Sequence, residues 1–267
     1  MNRRGLIQTD PARKLLRVPL RGALKALRGS ADLSSFAPKV LNQGQSETCW
    51  AHSAVTLDYT RRKAKGLEAA LQSPLYFAQC LYATYRAEQT ASGSPLPLLQ
   101  DAGAQLDDAC RCFGQWGSVL FGKPEQDNNT DVPATDANGF GIPELEADTV
   151  ETGALTPFGG PYDIAPGSTA PTTVADCLDA GIPVWIGTSV GQAFQELAAG
   201  QIGQPADPSD PTAGGHAMAI LGYRTGPGKL QFLVRNSWGP GWCEGGNCWV
   251  SAAFIATAWS LLPFEVT

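Results

Sequence analysis

The periodicity of the apolar residues changes once along the chain, and this change restricts the fold more than any other feature. Apolar positions recur at helical spacing from Cys49 to Lys65, and Ser73-Pro74 opens a second helical segment. Weaker helical patterns cover residues 106–121 and 173–180. Beyond residue 181 the pattern becomes that of buried strands. A chain that is helical first and strand-rich second is typical of an α+β fold with two lobes.

The strand-rich half contains two runs that we expect to pair as a hairpin. Residues 216–223 and 230–236 are rich in apolar side chains, and a turn containing Thr-Gly-Pro-Gly separates them. The further strand candidates are residues 183–188 and 248–251. The predicted division is a helical lobe at about residues 45–165 and a β lobe at about residues 170–267.

Charge is distributed unevenly, because a basic arm precedes an acidic body. Residues 1–30 hold eight of the 19 basic residues and one of the 25 acidic residues, and residues 31–267 form the predicted domain. A body of this sign, with a sequence pI near 4.9, disfavours a nucleic-acid partner. The sequence contains no run of about 18 apolar residues, so it does not predict a membrane-spanning helix.

The arm leaves several interpretations open. It lacks the apolar core of a classical signal peptide, so we expect a cytoplasmic protein or one that is secreted by a non-classical route. Its many arginines and single acidic residue also fit a targeting segment. The other interpretations are a solvated tail or short helix lying on the acidic body, and a short pro-segment that docks within the molecule and partly covers a cleft.

Seven cysteines are present, and an odd number leaves at least one thiol free. In an oxidising compartment the expected disulfide joins Cys243 and Cys248, which close a short Glu-Gly-Gly-Asn loop; seven reduced thiols fit a cytosol equally well. A zinc site that adds Cys110 and Cys112 is disfavoured, because the Cys-x-Cys and Cys-x4-Cys spacings differ from those of structural zinc sites. We therefore predict no metal and no cofactor.

The residues best suited to chemistry are one cysteine and one of only two histidines. Thr48 is the predicted N-cap of the first helix, which puts Cys49 in the first turn, where the helix terminus favours a thiolate. His52 lies three residues later on the same helix, so both side chains are tied to one backbone. His216 follows Gly214-Gly215 at the start of a strand and can approach the sulfur from another element. His216 is therefore the favoured base.

Two polar side chains extend this group. Asn236 lies 20 residues beyond His216 at the far end of the paired strand, so the hairpin returns it towards the imidazole. Trp238 follows and can shield that polar contact from water. Gln43 precedes Cys49 by six residues, and its side-chain amide, together with the cysteine N–H, is a candidate oxyanion donor.

Three segments of the chain resemble the active-site segments of papain-like cysteine peptidases, the C1 family. They are QGQSETCWAHSA at residues 43–54, GGHA at residues 214–217 and NSWGPGW at residues 236–242. Their order, and the spacing from the glutamine to the cysteine, agree with that family. The resemblance implies the papain-like two-lobed fold, with a helical N-terminal lobe and an antiparallel, β-barrel-like C-terminal lobe.

The resemblance also implies a role for each residue at a matching position. The implied catalytic residues are Cys49 as nucleophile, His216 as general acid/base, Asn236 as the group that orients the histidine and Gln43 as oxyanion donor. The implied substrate-binding residues are Gly215, Trp238 and Trp242. The substrate would be a polypeptide lying extended between the lobes, and its peptide bond would be cleaved through a thioester on the cysteine.

Two departures from the family pattern leave other functions open. Ser46-Glu47-Thr48 stands where the family usually has Cys-Gly-Ser, and His52 replaces the usual phenylalanine. A carboxylate close to the thiol would raise its pKa and work against activation. The alternatives are a papain-fold amidase or acyl transferase that acts on a non-protein amide, and a degenerate relative that only binds peptides.

Overall fold

The computed structural model of the chain describes residues 6, 18–19, 28–91, 103–116, 162–226 and 229–266. The end of the helical pattern near residue 121, the Pro/Gly-rich segment at residues 122–161 and most of the basic arm lie outside the described residues. Within the described ranges, no helix is long and apolar enough to cross a membrane.

Three helices pack together on one side of the molecule. They are α1 (Cys49–Ala64), α2 (Pro74–Ala91) and α3 (Leu106–Trp116). The first two begin where the sequence predicts. α1 ends just before Gly66, whose φ of 71° lies in the left-handed region that glycine adopts without strain. The ring of Trp50 on α1 meets that of Phe77 on α2 edge to face, with centroids 4.9 Å apart, so aromatic contacts join the helices.

The rest of the described chain forms strands, a short 3₁₀ helix (Ser34–Phe36), three shorter α-helices and the loops that join them. Two short strands, β1 (Val18–Pro19) and β3 (Tyr162–Asp163), pair in parallel by themselves. The main sheet contains β2 (Ser30–Asp32), β4 (Val184–Val190), β5 (Ile202–Gly203), β6 (Gly214–Gly226), β7 (Lys229–Arg235), β8 (Asn247–Ser251) and β9 (Ser260–Pro263). The helices are α4 (Ala170–Asp179), α5 (Gln192–Gln195) and α6 (Ala252–Ala256).

The main sheet has the strand order β5-β8-β7-β6-β4-β9, and β2 also pairs with β6. Its pairs are antiparallel except for β5 with β8. The β6–β7 hairpin confirms the predicted pairing, with a register shift between Ile220 and Gly222. Among the described residues the path does not close on itself, so the predicted barrel-like lobe takes the form of an open sheet.

The sheet buries side chains on both faces. Along β6, Ala217, Ala219 and Leu221 join the core formed with α1, α2 and α3. Met218 and Ile220 alternate with them and join a second core that includes residues of α4 and α6. The α+β prediction is confirmed, and the lobe boundary near residue 165 stays a prediction.

Two local predictions are corrected. α4 begins at Ala170 rather than Thr173, because Pro171 can occupy the first helical turn, where no N–H partner is needed. Cys243 and Cys248 do not form the disulfide expected for an oxidising compartment, and all seven cysteines are free thiols, as in the reduced alternative. Cys248 is fully buried on β8, whereas Cys243 lies half-buried in the preceding turn with a φ of 44°.

Candidate active site

The thiol of Cys49 lies at the N-terminus of α1, against the sheet. The residue is fully buried, and the backbone N–H of Ala217 on β6 donates to its Sγ at 3.4 Å. The first turn of the helix places N–H groups and a partial positive charge near the sulfur, and both favour the thiolate. The cysteine is therefore held where the first helix meets a strand from the other half of the chain.

A buried hydrogen-bonded pair holds the backbone of this cysteine. Ser53 Oγ donates to the carbonyl of Cys49 at 2.7 Å. The indole N–H of Trp185 on β4 in turn donates to Ser53 Oγ at 2.7 Å. Because both side chains are buried, water does not compete for these bonds. α1 is thereby tied to β4 as well as to β6.

The imidazole of His216 is held by the asparagine that the sequence predicts. His216 Nε2 lies 2.7 Å from Asn236 Oδ1, and an amide oxygen only accepts, so Nε2 carries the proton. The same oxygen accepts the backbone N–H of Ser237 at 2.8 Å, which fixes the orientation of the amide. Trp238 stacks on the imidazole with ring centroids 4.6 Å apart. In the neutral ring, Nδ1 is consequently the basic nitrogen.

The predicted nucleophile and base come to the same junction. His216 directly precedes Ala217 on β6, and it is the N–H of Ala217 that reaches the sulfur of Cys49. The β6–β7 hairpin brings Asn236 back to His216, as the sequence predicts. One helix and one hairpin therefore supply all three groups.

Gln43 is brought to the same place by the loop before α1. Its backbone N–H donates to the carbonyl of Ser237 at 2.8 Å, and its Oε1 accepts from Ser237 Oγ at 2.6 Å. Its Nε2 donates to the carbonyl of Ser46 at 2.7 Å. The glutamine thus joins the loop that precedes Cys49 to the segment that carries Asn236.

The two predicted tryptophans pack in the layer behind the imidazole. Trp238 and Trp242 meet at 90° with centroids 5.2 Å apart, and Trp242 Nε1 donates to the carbonyl of Gln195 at 2.9 Å. Both tryptophans are buried and contact Phe194. Trp238 therefore keeps water from the contact between His216 and its asparagine, whereas direct binding of substrate by either ring stays a prediction.

Leu6 of the basic arm lies beside Gly215. Its N–H donates to the carbonyl of Gly215 at 3.2 Å, it pairs in parallel with Ala104, and it is only 7% exposed. A Cβ on Gly215 would collide with the Leu6 carbonyl, and a Cβ on Gly187 would lie 2.7 Å from Leu6 Cδ2 and 3.1 Å from Leu106 Cδ1. The absence of side chains at Gly187 and Gly215 leaves the space that Leu6 fills, and Gly215 directly precedes His216 in the sequence.

Burial and local hydrogen bonds set the pKa of several thiols outside this site. Burial, with a smaller effect of Asp176, raises the pKa of Cys177 to about 12. Burial also raises the pKa of Cys248. A hydrogen bond from Cys112 lowers the pKa of Cys80, but both residues are buried among α2 and α3. Within the part of the chain that the structure describes, no group of three or more His, Cys, Asp or Glu side chains is arranged to hold a metal.

Residues 166–255 match the family described as papain family cysteine protease. This range contains the histidine and the asparagine of the site. "Cathepsin B-like CP3" of Giardia intestinalis is 26% identical over 222 residues, which cover 78% of this chain and 62% of the relative. The chain therefore spans about three fifths of the length of the curated relatives that it matches.

Solved structures show the same fold over nearly the whole chain. Xylellain, a cysteine protease from Xylella fastidiosa, has a TM-score of 0.76 at 20% identity, over 99% of this chain and 96% of its own. Digestive procathepsin L 3 of Tenebrio molitor has a TM-score of 0.67 at 21% identity, over 93% of this chain and 73% of its own. The papain-like fold and the resemblance to papain-like cysteine peptidases are therefore confirmed.

Several contacts of the site were not anticipated from the sequence. Ser237 bonds to Gln43, and its position next to Asn236 was the available signal. Leu6 carries no signal beyond being an apolar residue in a basic arm. Thr48 precedes α1 as predicted, but its side chain makes no capping hydrogen bond and turns to other partners instead.

Proposed function

Because the chain has the papain-like fold and resembles papain-like cysteine peptidases, we propose that it is a cysteine peptidase that hydrolyses peptide bonds through a thioester on Cys49. The observation that carries the proposal is the junction at which the Cys49 thiol, the N–H of Ala217 and the imidazole–amide pair of His216 and Asn236 meet.

The proposed reaction has two stages. His216 Nδ1 takes the proton of the Cys49 thiol, and the thiolate attacks the peptide carbonyl carbon. The carbonyl oxygen becomes an oxyanion that accepts from Gln43 Nε2 and the Cys49 N–H. As the C–N bond breaks, His216 gives its Nδ1 proton to the leaving amine. Water then adds to the thioester as His216 takes its proton, and breaking of the C–S bond releases the carboxylate and the thiol. Asn236 keeps the ring oriented through both stages.

Gly215 supports an extended polypeptide as the substrate. Its carbonyl accepts a backbone N–H from Leu6, and a peptide lying extended along β6 can use the same acceptor. Trp242 and Trp238 would close this region behind the reacting groups. A bare backbone at residue 215 is needed for any chain to approach so closely, because a side chain there would meet the bound backbone.

We further propose that the basic arm docks in this cleft and competes with substrate. The support is the burial of Leu6 between Gly215, Gly187 and Leu106, together with the pairing of β1 with β3. Relatives of known structure that are named as procathepsins share this fold, which is consistent with an N-terminal segment that docks within the molecule.

The proposed activity is tested with an unfolded protein as substrate, with and without reductant. The wild type should cleave it in reductant, and Cys49→Ala should not. A small epoxide that alkylates thiols should modify Cys49 and no other cysteine. Cleavage that survives in Cys49→Ala contradicts the proposal. Turnover of a non-protein amide or transfer to an amine, without proteolysis, would establish the amidase or transferase alternative, and peptide binding without turnover would establish the degenerate one.

The proposed docking is tested with Leu6→Asp and with a chain that lacks residues 1–27. The deletion spares Gly29, whose carbonyl accepts from Thr225 N–H and anchors the start of the domain. Both variants should lower KM, because substrate no longer competes with the arm. The gain from the deletion should be largest at low salt, where the basic arm is attracted most strongly to the acidic body. An unchanged KM in both variants would dismiss the docking.

A further inference from the structure

Four polar side chains lie buried in the ten residues from Gln43 to His52. They belong to Gln43, Ser46, Thr48 and His52, and each is less than a tenth exposed. Burying polar groups is costly unless they are hydrogen-bonded, so a cluster of this size in a short segment calls for a bonding pattern that satisfies it.

The bonds of this cluster form a chain in which the direction of each proton is fixed. His52 Nδ1 lies 2.9 Å from the carbonyl of Thr48, which can only accept, so Nδ1 carries the proton. Ser46 Oγ donates to the carbonyl of Gln43 at 2.6 Å, so the contact of 2.6 Å between Ser46 Oγ and Thr48 Oγ1 must be donated by the threonine. Thr48 Oγ1, 3.2 Å from Nδ1, then accepts from the histidine.

The chain therefore donates in one direction, from the histidine on α1 to the backbone of Gln43. Gln43 and Ser46 are bonded in both directions, because Gln43 Nε2 also donates to the carbonyl of Ser46. Its Oε1 is held from the other side by Ser237 Oγ. The carbonyl can only accept, so it must face Nε2, and the amide cannot be turned over without losing both bonds.

We propose that His52 and Thr48 are positioning residues that hold Gln43, the proposed oxyanion donor, in place. This inference rests on the proposed peptidase function for its catalytic consequence. The first turn of α1 carries both Cys49 and His52, so the same turn that presents the sulfur also fixes the glutamine. The nucleophile and the oxyanion donor are thereby kept in register by one stretch of backbone.

The position of an oxyanion donor matters because the bond must match the transition state within a fraction of an ångström. Loss of the histidine contact lets the loop before α1 relax and moves the donor. The expected loss is in kcat, since the ground-state carbonyl is bound less tightly than the oxyanion. Binding of the peptide elsewhere in the cleft is unaffected, so KM should stay within about twofold.

The test is a double-mutant cycle between His52 and Gln43, measured as kcat and KM on a peptide substrate. His52→Phe removes the donor but keeps a flat ring, and we expect kcat to fall about tenfold. His52→Asn is the matched control, because the asparagine Nδ2 can replace the Nδ1 donor, and it should recover most of the loss. In a Gln43→Ala background, His52→Phe should change kcat by less than about twofold.

Equal losses from His52→Phe in both backgrounds, or no recovery with His52→Asn, would overturn the positioning role. If His52→Phe fails to fold, Thr48→Val breaks the same chain at its middle and takes its place in the cycle. A second readout does not need activity: the NMR signals of the Gln43 side-chain amide should shift in His52→Phe and stay near their wild-type positions in His52→Asn. An inactive wild type with this NMR pattern would refute the peptidase and keep the positioning, whereas unmoved signals would refute the positioning alone.

Discussion

The two halves of the proposed active site are held in place by different means. His216 stands on β6 and Asn236 directly follows β7, so the backbone ladder of the β6–β7 hairpin brings them together and one side-chain bond joins them. Cys49 and Gln43 stand on α1 and the loop before it, and side-chain hydrogen bonds, among them those of Ser53 and Ser46, hold them. The hairpin half should therefore tolerate changes around its reacting groups better than the helix half does.

The comparison bears on what an enzyme of this kind must keep constant. A strand register changes only in whole residues, so a hairpin keeps its two groups aligned even when neighbouring side chains vary. A helix can slide or tilt slightly against a sheet, and only specific contacts stop it. The bond from Trp185 to Ser53 is such a contact, since it links β4 directly to the turn that carries Cys49.

The largest expected effect is loss of the base on the hairpin. His216→Ala should lower kcat on the order of 10⁴-fold or more, because no group remains to take the thiol proton or to protonate the leaving amine. Steady-state kinetics on a peptide substrate measure the change, with His52→Phe as the matched histidine control. If His52→Phe lowered kcat as much as His216→Ala, the assignment of His216 as the base would be contradicted.

The next effect separates orientation from chemistry within the hairpin. Asn236→Ala should lower kcat about 10²-fold, because the imidazole loses the acceptor that fixes its ring and its tautomer. The fold should survive, since β7 and its pairing lie outside the changed side chain. Circular dichroism and the kinetic constants measured together check this. A normal kcat in a folded variant would show that the ladder and Trp238 suffice to hold the ring.

A smaller effect tests whether the helix half depends on its side chains. Trp185→Phe keeps the aromatic packing on Phe264 but removes the donor to Ser53, so stability should fall by about 1–2 kcal/mol and kcat by a few fold. Trp249→Phe on β8 is the control, because that ring stacks under Arg224 instead. Chemical denaturation and kinetics are the measurements. Equal effects of the two substitutions on kcat would remove the distinction between the two halves.

The smallest effect concerns the far end of α1. Glu265 accepts from Arg61 and Lys65 near the C-terminus of the helix. Burial raises its pKa, but the hydrogen bonds and charges of those two cations outweigh burial and hold the pKa below 4.5. A lowered folded-state pKa means that the carboxylate stabilises the fold above the unfolded-state pKa and loses that contribution as the pH falls.

Glu265→Gln should accordingly lower the free energy of unfolding by about 1 kcal/mol at pH 7. The difference from the wild type should shrink when the pH is lowered through 4.5 and below. Denaturation curves at several pH values measure it. A difference that grows with acidity would contradict the sign. The peptidase kinetics at neutral pH should hardly change, because this clamp is at the opposite end of α1 from Cys49.

The hairpin half of the site could be predicted from the sequence, and much of the helix half could not. Two apolar runs and the turn signal between them define β6 and β7, and pairing them brings Asn236 to His216. The position of Cys49 in the first turn of α1 was also readable. The bonds of Ser53, Trp185 and His52 were not, because they depend on how a helix rotates and packs against a sheet, which no local pattern specifies.

The contact site of the basic arm could not be predicted from the sequence either. Its charge predicts attraction to an acidic body, but charge does not specify where it binds. The contact of Leu6 depends on the absence of side chains at Gly215 and Gly187, two residues that lie on different strands. Only the pairing of β4 with β6 brings these glycines to one place, so the pocket emerges with the tertiary structure.

The central claim is that the Cys49 thiol is activated by an imidazole delivered from the opposite half of the chain. It is tested most directly by the pH dependence of Cys49 alkylation with iodoacetamide, followed by mass spectrometry of the peptide that contains it. In the wild type the rate should reach its plateau well below the ordinary thiol pKa of about 8.5, and in His216→Ala it should rise only near that value. Superimposable profiles for the two proteins would contradict the account.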